Sequence, residues 1–153
     1  MSALRTSFTD QMKQAIKAGE QARLETIRLI IAKMKEADIN ARAAGNEVAT
    51  DTELLSMMQG MIKQRAESAK IYRENNRPEL AEKEDAEIRV IEGFLPKQLS
   101  EDEAGAVIVS IIAETGAAGM KDMGRVMALA KEKLAGQFDM TKASALVKQK
   151  LAG

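Results

Sequence analysis

The chain has 153 residues, of which 45% are hydrophobic, and its 23 basic and 23 acidic side chains give a formal net charge of zero. This balance argues against a strong nonspecific hold on nucleic acid, because phosphate binding requires an excess of lysine and arginine. Cysteine and histidine are both absent, which excludes disulfides, thiolate nucleophiles, cysteine-based metal centres and the usual general base of enzymes.

The first two predicted helices form an antiparallel hairpin. Gly19 is placed to end the first helix, and the short connection around it forces the two helices to pack as neighbours. The second helix runs toward Gly45. The apolar stripe of the first helix is Leu4, Phe8, Met12, Ala15 and Ile16, and that of the second is Leu24, Ile27, Ile31 and Met34, with Leu29 and Ile30 beside it.

A third and a fourth helix follow a loop over residues 45–50. Thr50 or Asp51 can cap the third helix, and Glu53 lies in its first turn, where a negative charge is favourable. Pro78 suits the first position of the fourth helix, where its missing N–H costs nothing. Their apolar positions are Leu54, Met58, Met61 and Ile62 in the third helix, and Leu80, Ile88, Ile91 and Leu95 in the fourth.

Pro96 is the predicted domain boundary. The fourth helix should end at Phe94 or Leu95, because the residue before a proline is pushed out of the helical region. Beyond the proline, Ser100 and Glu103 form a capping box, in which each side chain accepts from the other residue's backbone N–H. This pattern predicts the start of a fifth helix.

Three helices are predicted after Pro96. The fifth helix ends at Thr115 and Gly116, and Asp139 or Thr141 begins the seventh. The sixth helix should place one apolar seam toward the core. The apolar positions are Val107, Ile108, Ile111 and Ile112 in the fifth helix, Met120, Met123, Met127, Ala130 and Leu134 in the sixth, and Met140, Ala143, Val147 and Leu151 in the seventh.

These segments predict an all-α protein with no strand. Residues 1–95 form an N-terminal helical bundle of about four helices, and residues 96–153 form a small C-terminal three-helix domain. The N-terminus lacks the unbroken apolar stretch of a secretory signal, and no run reaches the roughly 18 to 20 apolar residues of a bilayer span. We therefore expect a soluble, cytoplasmic protein without a membrane partner.

Several short, separated sequence motifs resemble those of one known family. They are the turn over residues 15–19, RLETIRL over 23–29, FLPKQLS over 94–100, TGAAGMKDMGRVM over 115–127 and LVKQKL over 146–151. Their order and spacing resemble the GatB/YqeY family, and specifically its free-standing YqeY-like members. One departure is the turn before the last helix, where many relatives have Ala-Asp-Gly-Lys and this chain has Phe138-Asp139-Met140-Thr141-Lys142, which keeps the Asp and the Lys but lacks the glycine.

The resemblance implies an all-helical fold whose C-terminal domain is similar to the tail of the B subunit of the tRNA-dependent amidotransferase. It therefore implies tRNA association through residues near 97–153. Through the resemblance, the chain would also be assigned the activity associated with the family, which is carbon-nitrogen ligase activity with glutamine as amido donor. The phosphorylating and amidating site of the amidotransferase lies in another domain of that subunit, so this assignment gives the chain no active site of its own.

The candidate nucleic-acid contacts are basic side chains of the C-terminal domain, where residues 116–153 hold seven bases and three acids. Exposed backbone at Gly119 and Gly124 could let a phosphate approach the start of the sixth helix; the alternative is a solvated face on which Gly124 allows close helix packing. Phe138 could stack on a base or pack in the core. The predicted contacts are Lys97, Lys121, Arg125, Lys142 and Lys148.

Other functions are weighed against this one. The methionines could line a groove for a protein partner, making the chain a helical protein-protein adaptor, or they could fill the core. Acids of the fourth helix could bind a divalent cation or pair with bases on helices one to three. No catalytic residue, cofactor, metal site or small-molecule substrate is predicted. The expected partners are tRNA and the amidotransferase or aminoacyl-tRNA machinery.

Overall fold

The computed structural model describes residues 2–152, and their regular structure is entirely helical, which confirms the all-α prediction. The outer limits of the two predicted domains, Met1 and Gly153, lie outside the described residues. The helices are α1 Ala3–Ala18, α2 Gln21–Ala43, α3 Asp51–Glu74, α4 Pro78–Glu92, α5 Glu101–Thr115, α6 Met123–Lys133 and α7 Met140–Ala152, with a 3₁₀ turn at Met120–Asp122 before α6.

Two compact units divide the chain, one ending at Leu95 and the other beginning at Pro96. Each unit has its own apolar core. Segment 94–100 contributes to both, since Phe94 and Leu95 pack in the first core and Leu99 packs against the second. Leu99 N–H also donates to the Gln137 carbonyl at 2.8 Å. The residues flanking Pro96 are therefore anchored separately, each in its own unit.

The helix ends of the first unit follow local capping rules. Gly19 ends α1 in the left-handed conformation, with φ 69°, as predicted. Thr50, and not Asp51, caps α3 through a complete capping box with Glu53. Pro78 occupies the first position of α4. Each of these features depends on residues a few positions apart, which is why the sequence predicts them.

The last turn of α4 differs from the prediction. The helix ends at Glu92 and not at Phe94 or Leu95. The backbone then tightens, because Phe94 N–H donates to the Ile91 carbonyl and Leu95 N–H to the Glu92 carbonyl, both at 3.0 Å. This turn carries Phe94 into the core, where its ring meets Phe8 edge-to-face with centroids 5.1 Å apart.

The first core uses most of the predicted apolar positions. Ile16 is an exception: it was predicted on the inward stripe of α1 but is 53% exposed, because Phe8 and Ala15 define the inward line and Ile16 lies about 100° around the helix from Ala15. Leu29 of α2 is likewise 45% exposed. The largest fully buried side chains of this unit are Phe8, Ile27, Ile30, Leu54, Met58 and Ile91.

One buried ion pair fastens three parts of the first unit together. The Arg5 guanidinium of α1 donates to both oxygens of Asp38 in α2, at 2.7 and 3.0 Å. The same carboxylate accepts from Ala49 N–H at 2.9 Å, and Arg5 also donates to the Ala49 carbonyl at 2.9 Å. These bonds tie the loop before α3 to both helices.

In the second unit the capping box of Ser100 and Glu103 is present in full, and Gly116 ends α5 with φ 66°. Asp139 lies immediately before α7, and its carboxylate accepts from Thr141 N–H in the first turn of that helix at 2.8 Å. The buried positions come from all three helices and from the segment between α6 and α7. They are Ala104, Ile108, Ile111, Val126, Ala130, Leu134, Phe138, Ala143 and Val147.

The predicted apolar seam of α6 is confirmed at Ala130 and Leu134, which are fully buried, and is wrong at Met120. Val126 and Ala130 are the fully buried positions of the helix, while Met123 and Met127 are only half-buried beside them. Met120 is 44% exposed because it lies in the 3₁₀ turn, which rotates it away from the helical pattern. Phe138 is 6% exposed, which confirms that it packs in the core.

No single helix among residues 2–152 is long and apolar enough to cross a bilayer. Together α5 and α6 reach the required length and composition, but they are bent by 95° relative to each other, and the most apolar positions of both are buried in the second core.

Candidate nucleic-acid interface

The turn before α6 brings two of the predicted contacts close together. Lys121 lies in the 3₁₀ turn and Arg125 in the first turn of α6, because the sixth helix begins at Met123 and does not include Met120 as predicted. Both side chains are exposed. Between them stands Asp122, a residue that the sequence interpretation missed.

Asp122 organises this turn. Its carboxylate accepts from Ala118 N–H at 2.9 Å and from the Arg125 guanidinium at 3.2 Å. The Ala118 hydrogen bond, helped by the charges of Arg125 and Lys121, lowers the pKa of Asp122 below its usual value. An anion approaching this turn therefore meets two cations and one carboxylate. The spacing of Asp122 and Arg125, three residues apart, is the sequence signal that could have predicted the pair.

The two glycines of this segment are not explained by packing. A Cβ atom placed on Gly119 or on Gly124 would meet no heavy atom within 4 Å other than those of its own residue, its chain neighbours and the adjacent backbone of its own helix. The alternative in which Gly124 allows close helix packing is therefore wrong. Glycine is a poor helix former, so its presence at Gly124 of α6 has a cost in stability. Because glycine has no side chain and this position is exposed, the backbone there is open to an approaching group.

The predicted contacts on α7 are exposed but point in different directions. Lys142 and Lys148 make no ion pair with any other described residue. They are six positions apart, which separates them by about 120° around the helix. The 3₁₀ turn that holds Lys121 packs against α7. The structure therefore places Lys121, Arg125, Lys142 and Lys148 on neighbouring elements but not in one tight cluster.

Lys97 lies outside this group. It is exposed in the segment between Pro96 and α5. The pKa of Glu103 is lowered mainly by the hydrogen bonds with Ser100 and also by the positive charge of Lys97. Lys97 is therefore beside the acidic start of α5, where its charge is partly offset.

Charge is divided sharply among the helices of the second unit. The helices α6 and α7 carry six bases and one acid, whereas α5 carries four acids and no base. Lys133 of α6 pairs with Glu114 of α5 at 3.1 Å, so not all of the positive charge is available. The α6–α7 surface, defined here by Lys121, Arg125, Lys131, Lys142, Lys148 and Lys150, is the basic side of this unit.

The acids of α4 pair with α3. Arg73 bonds to Asp85, and Arg65 lies 3.3 Å from Glu87, which confirms the prediction of pairing for the third helix. Burial, with the nearby charge of Glu87, raises the pKa of Glu84. Among residues 2–152 no group of three or more acidic side chains is arranged to hold a metal ion.

Most of the methionines among residues 2–152 pack in or against the two cores. Met58 and Met61 are buried in the first core, and Met57 is partly buried against it. Met123 and Met127 pack in the same way against the second core, which leaves Met120 exposed. This arrangement fits the alternative in which methionines fill the cores.

A family model described as "Yqey-like protein" matches residues 5–151. The chain is 30% identical over 118 residues to "Altered inheritance of mitochondria protein 41, mitochondrial" of Pyrenophora tritici-repentis, covering 76% of this chain and 62% of that protein. It is 32% identical over 84 residues to the protein of the same name from Vanderwaltozyma polyspora, covering 55% and 44%. The chain thus spans about half the length of these relatives.

Proposed function

We propose that this chain, which belongs to the YqeY-like protein family, is an accessory protein that binds tRNA through the α6–α7 surface. The name of the curated relatives concerns inheritance of mitochondria. Because that name does not mention RNA, the RNA partner is proposed from the charge pattern, together with the resemblance to the amidotransferase tail. In this proposal the protein works in the cytoplasm beside the amidotransferase or aminoacyl-tRNA machinery.

The observation that carries the proposal is the excess of positive charge on α6 and α7, which hold six bases and one acid. Lys121, Lys142 and Lys148 are exposed and make no ion pair with another described residue, so their ammonium groups are available to phosphates. Phosphate contacts of this kind supply affinity and orientation without reading sequence.

The chemistry of the surface favours recognition of the RNA backbone over recognition of bases. Phe138, the one aromatic side chain of the second unit, is buried and has no face for a base to stack on. The open backbone at Gly119 and Gly124 stands beside Lys121 and Arg125 and gives a phosphate room to come close. Asp122 works against the approach of an anion there, which limits the affinity of this turn.

Asp38, whose pKa is strongly lowered, gives no support to a carbon-nitrogen ligase activity. Asp38 has a pKa lowered to about 2, chiefly by its hydrogen bond to Arg5. A strongly perturbed pKa is a common mark of an active site. Here the group is held on both oxygens by Arg5 and Ala49, so it serves the fold and is not free to act on a substrate.

The experiment is a titration of labelled total tRNA at about 50 mM and about 200 mM salt, in which a protein with several phosphate contacts loses much of its affinity. The double variant Lys121→Glu/Arg125→Glu is expected to bind roughly tenfold more weakly than the wild type at the lower salt, a change of about 1.4 kcal/mol. The salt slope should fall by about two, one for each lost phosphate contact.

The matched control is Lys63→Glu/Lys70→Glu in α3. These two lysines are exposed, make no ion pair with another described residue, and lie on one face of the helix because they are seven positions apart. The control makes the same change in net charge in the other unit and should leave binding almost unaltered. Absence of binding by the wild type at low salt, or equal losses in the two double variants, contradicts the proposal.

A further inference from the structure

The outward side of α2 carries an apolar line that no element of the described chain covers. Leu29 and Ile39 are 45% and 62% exposed, while Ile27 and Ile30 of the same helix are buried in the first core. Helix α2 is therefore apolar on two sides, although a surface helix normally has one apolar stripe and a polar opposite face. The outward seam of α2, all of it exposed, consists of Leu29, Ala32, Glu36, Ile39 and Ala43.

The spacing of this seam is that of a helix that packs against another helix. Its positions alternate by three and four residues, as do the a and d positions of a coiled coil. A bilayer would need a wider apolar face than this narrow line. It would also bury the carboxylate of Glu36, which pairs with Lys33 at 3.6 Å, and burying a charge is costly. The seam therefore fits a partner helix better than a membrane.

A row of three cations borders one edge of the seam. Arg28, Lys35 and Arg42 are seven positions apart and exposed, and each directly precedes a seam residue. Arg28 and Lys35 form no ion pair within residues 2–152, and Arg42 donates to the Glu47 carbonyl at 3.4 Å. In a coiled coil, charges beside the a and d positions select the partner. The basic row of α2, made of these three residues, therefore requires acidic side chains on the helix that it meets.

A second copy of this chain does not meet that requirement. In an antiparallel pair of seams the basic row of one copy would face the basic row of the other, and the two Glu36 side chains would lie opposite each other. In a parallel pair the basic row would face Lys33 and Asn40 of the other copy, which supply no acid. Like charges placed opposite each other are unfavourable at an interface. The charge pattern therefore favours a different protein.

We propose that the outward seam of α2 docks an amphipathic helix of another protein, one whose side facing the basic row is acidic. RNA fits less well, because phosphate contacts would use the cations and leave Leu29 and Ile39 exposed to water. The proposal is independent of tRNA binding, which is proposed for the α6–α7 surface. One pair of helices buries less area than a standard stable interface, so the association is weak and transient.

A synthetic helix of three heptads tests the proposal, with leucine at its a and d positions and glutamate at its e and g positions. Its anisotropy, measured through a fluorescent label, should show binding to the full chain at micromolar concentration, more tightly at low salt than at high salt. Arg28→Glu/Lys35→Glu should weaken this binding roughly tenfold or more. Both side chains are exposed and without an ion pair to another described residue, so this variant should fold like the wild type.

Two controls make the peptide titration specific. Lys63→Glu/Lys70→Glu in α3 makes the same change in charge at the same spacing of seven residues and should leave binding almost unaltered. A peptide with lysine at its e and g positions should not bind the wild type. Absence of binding by the glutamate peptide, equal binding of both peptides, or equal losses in the two double variants overturns the proposal.

Cysteine labelling locates the docked helix, because the chain has no cysteine of its own. Alkylation of Ile39→Cys should slow when the glutamate peptide is added, since the peptide covers that position. Ile71→Cys in α3, where the native side chain is 56% exposed, should react at the same rate with and without the peptide. Equal slowing at both positions, or no slowing at either, overturns the proposal.

The same double variant separates a partner helix from RNA and from lipid. Arg28→Glu/Lys35→Glu is expected to bind total tRNA no more weakly than the wild type. The wild type is also expected not to sediment with vesicles of phosphatidylserine and phosphatidylcholine. A loss of tRNA affinity in the variant, or vesicle binding that the variant abolishes, would assign the basic row to phosphates and overturn the proposal.

Discussion

Replacing Asp38 by asparagine is expected to lower the free energy of unfolding by about 3 kcal/mol. The Asp38 and Arg5 side chains are only 12% and 14% exposed. Removing one charge of a buried, hydrogen-bonded pair leaves the other without compensation, which typically costs about 3 to 5 kcal/mol. The lower end applies here because both groups retain some contact with water. Urea denaturation followed by circular dichroism measures the change.

The control for this variant is Asp85→Asn. Asp85 pairs with Arg73 across α3 and α4, but the Arg73 side chain is 49% exposed. Ion pairs at the surface contribute about 0 to 1 kcal/mol, so this substitution should cost far less. Equal costs for the two variants would show that the Asp38 pair is no more important than a surface pair.

The same pair predicts how acid acts on the protein. The hydrogen bond from Arg5 lowers the pKa of Asp38 from 3.8 to about 2. Because the folded-state pKa is below that of the unfolded chain, the stabilisation is fully present above pH 4 and is lost as the pH falls through 2. The difference corresponds to about 2 kcal/mol. Asp38→Asn should therefore lose less stability than the wild type between pH 4 and pH 2.

Phe94→Ala is the second substitution with a large expected effect, a loss of about 3 to 5 kcal/mol of stability. Phe94 is 8% exposed, and its ring packs edge-to-face on Phe8, which is fully buried. Alanine leaves a cavity that this core cannot readily fill. The same urea denaturation measures the loss, and Phe94→Leu, which keeps most of the volume, should cost much less.

A double-mutant cycle separates the ring contact from simple burial. Combining Phe8→Leu with Phe94→Leu should give a coupling energy of about 0.5 to 1.5 kcal/mol, the range measured for aromatic pairs beyond their buried area. Strictly additive losses would mean that the two rings act independently.

The features that the sequence predicts well depend on neighbouring residues. Gly19 and Gly116 end helices because glycine adopts the left-handed conformation without strain. The capping boxes at Thr50 and Ser100 each need only a glutamate three positions later. Such rules operate within a single turn, so no knowledge of the tertiary structure is required.

The features that the sequence does not predict depend on distant residues. Arg5 and Asp38 are 33 positions apart, and their pairing requires α1 and α2 to be packed already. Met120 does not share the buried face of Val126 and Ala130, because it lies in the 3₁₀ turn that precedes α6. Apolar spacing alone cannot detect that change of phase.

Some features of the candidate site can likewise be predicted from the sequence, whereas others depend on the tertiary structure. Exposure of the lysines follows from their charge, and the separation of Lys142 and Lys148 around α7 follows from helical geometry. The placement of the 3₁₀ turn against α7 comes from packing of the second core. The role of Asp122 as a partner of both Ala118 and Arg125 comes from the path of the loop. The grouping of the basic side chains is therefore a tertiary property.

The most direct test of the central claim, that tRNA binds the α6–α7 surface, is a lysine footprint. The full chain is acetylated with and without total tRNA, and the modification of each lysine is measured by mass spectrometry. Lys121, Lys142 and Lys148 should be protected by tRNA, whereas Lys63 and Lys70 of α3 should react equally in both samples. Protection of the α3 lysines instead, or no protection at any lysine, would contradict the claim.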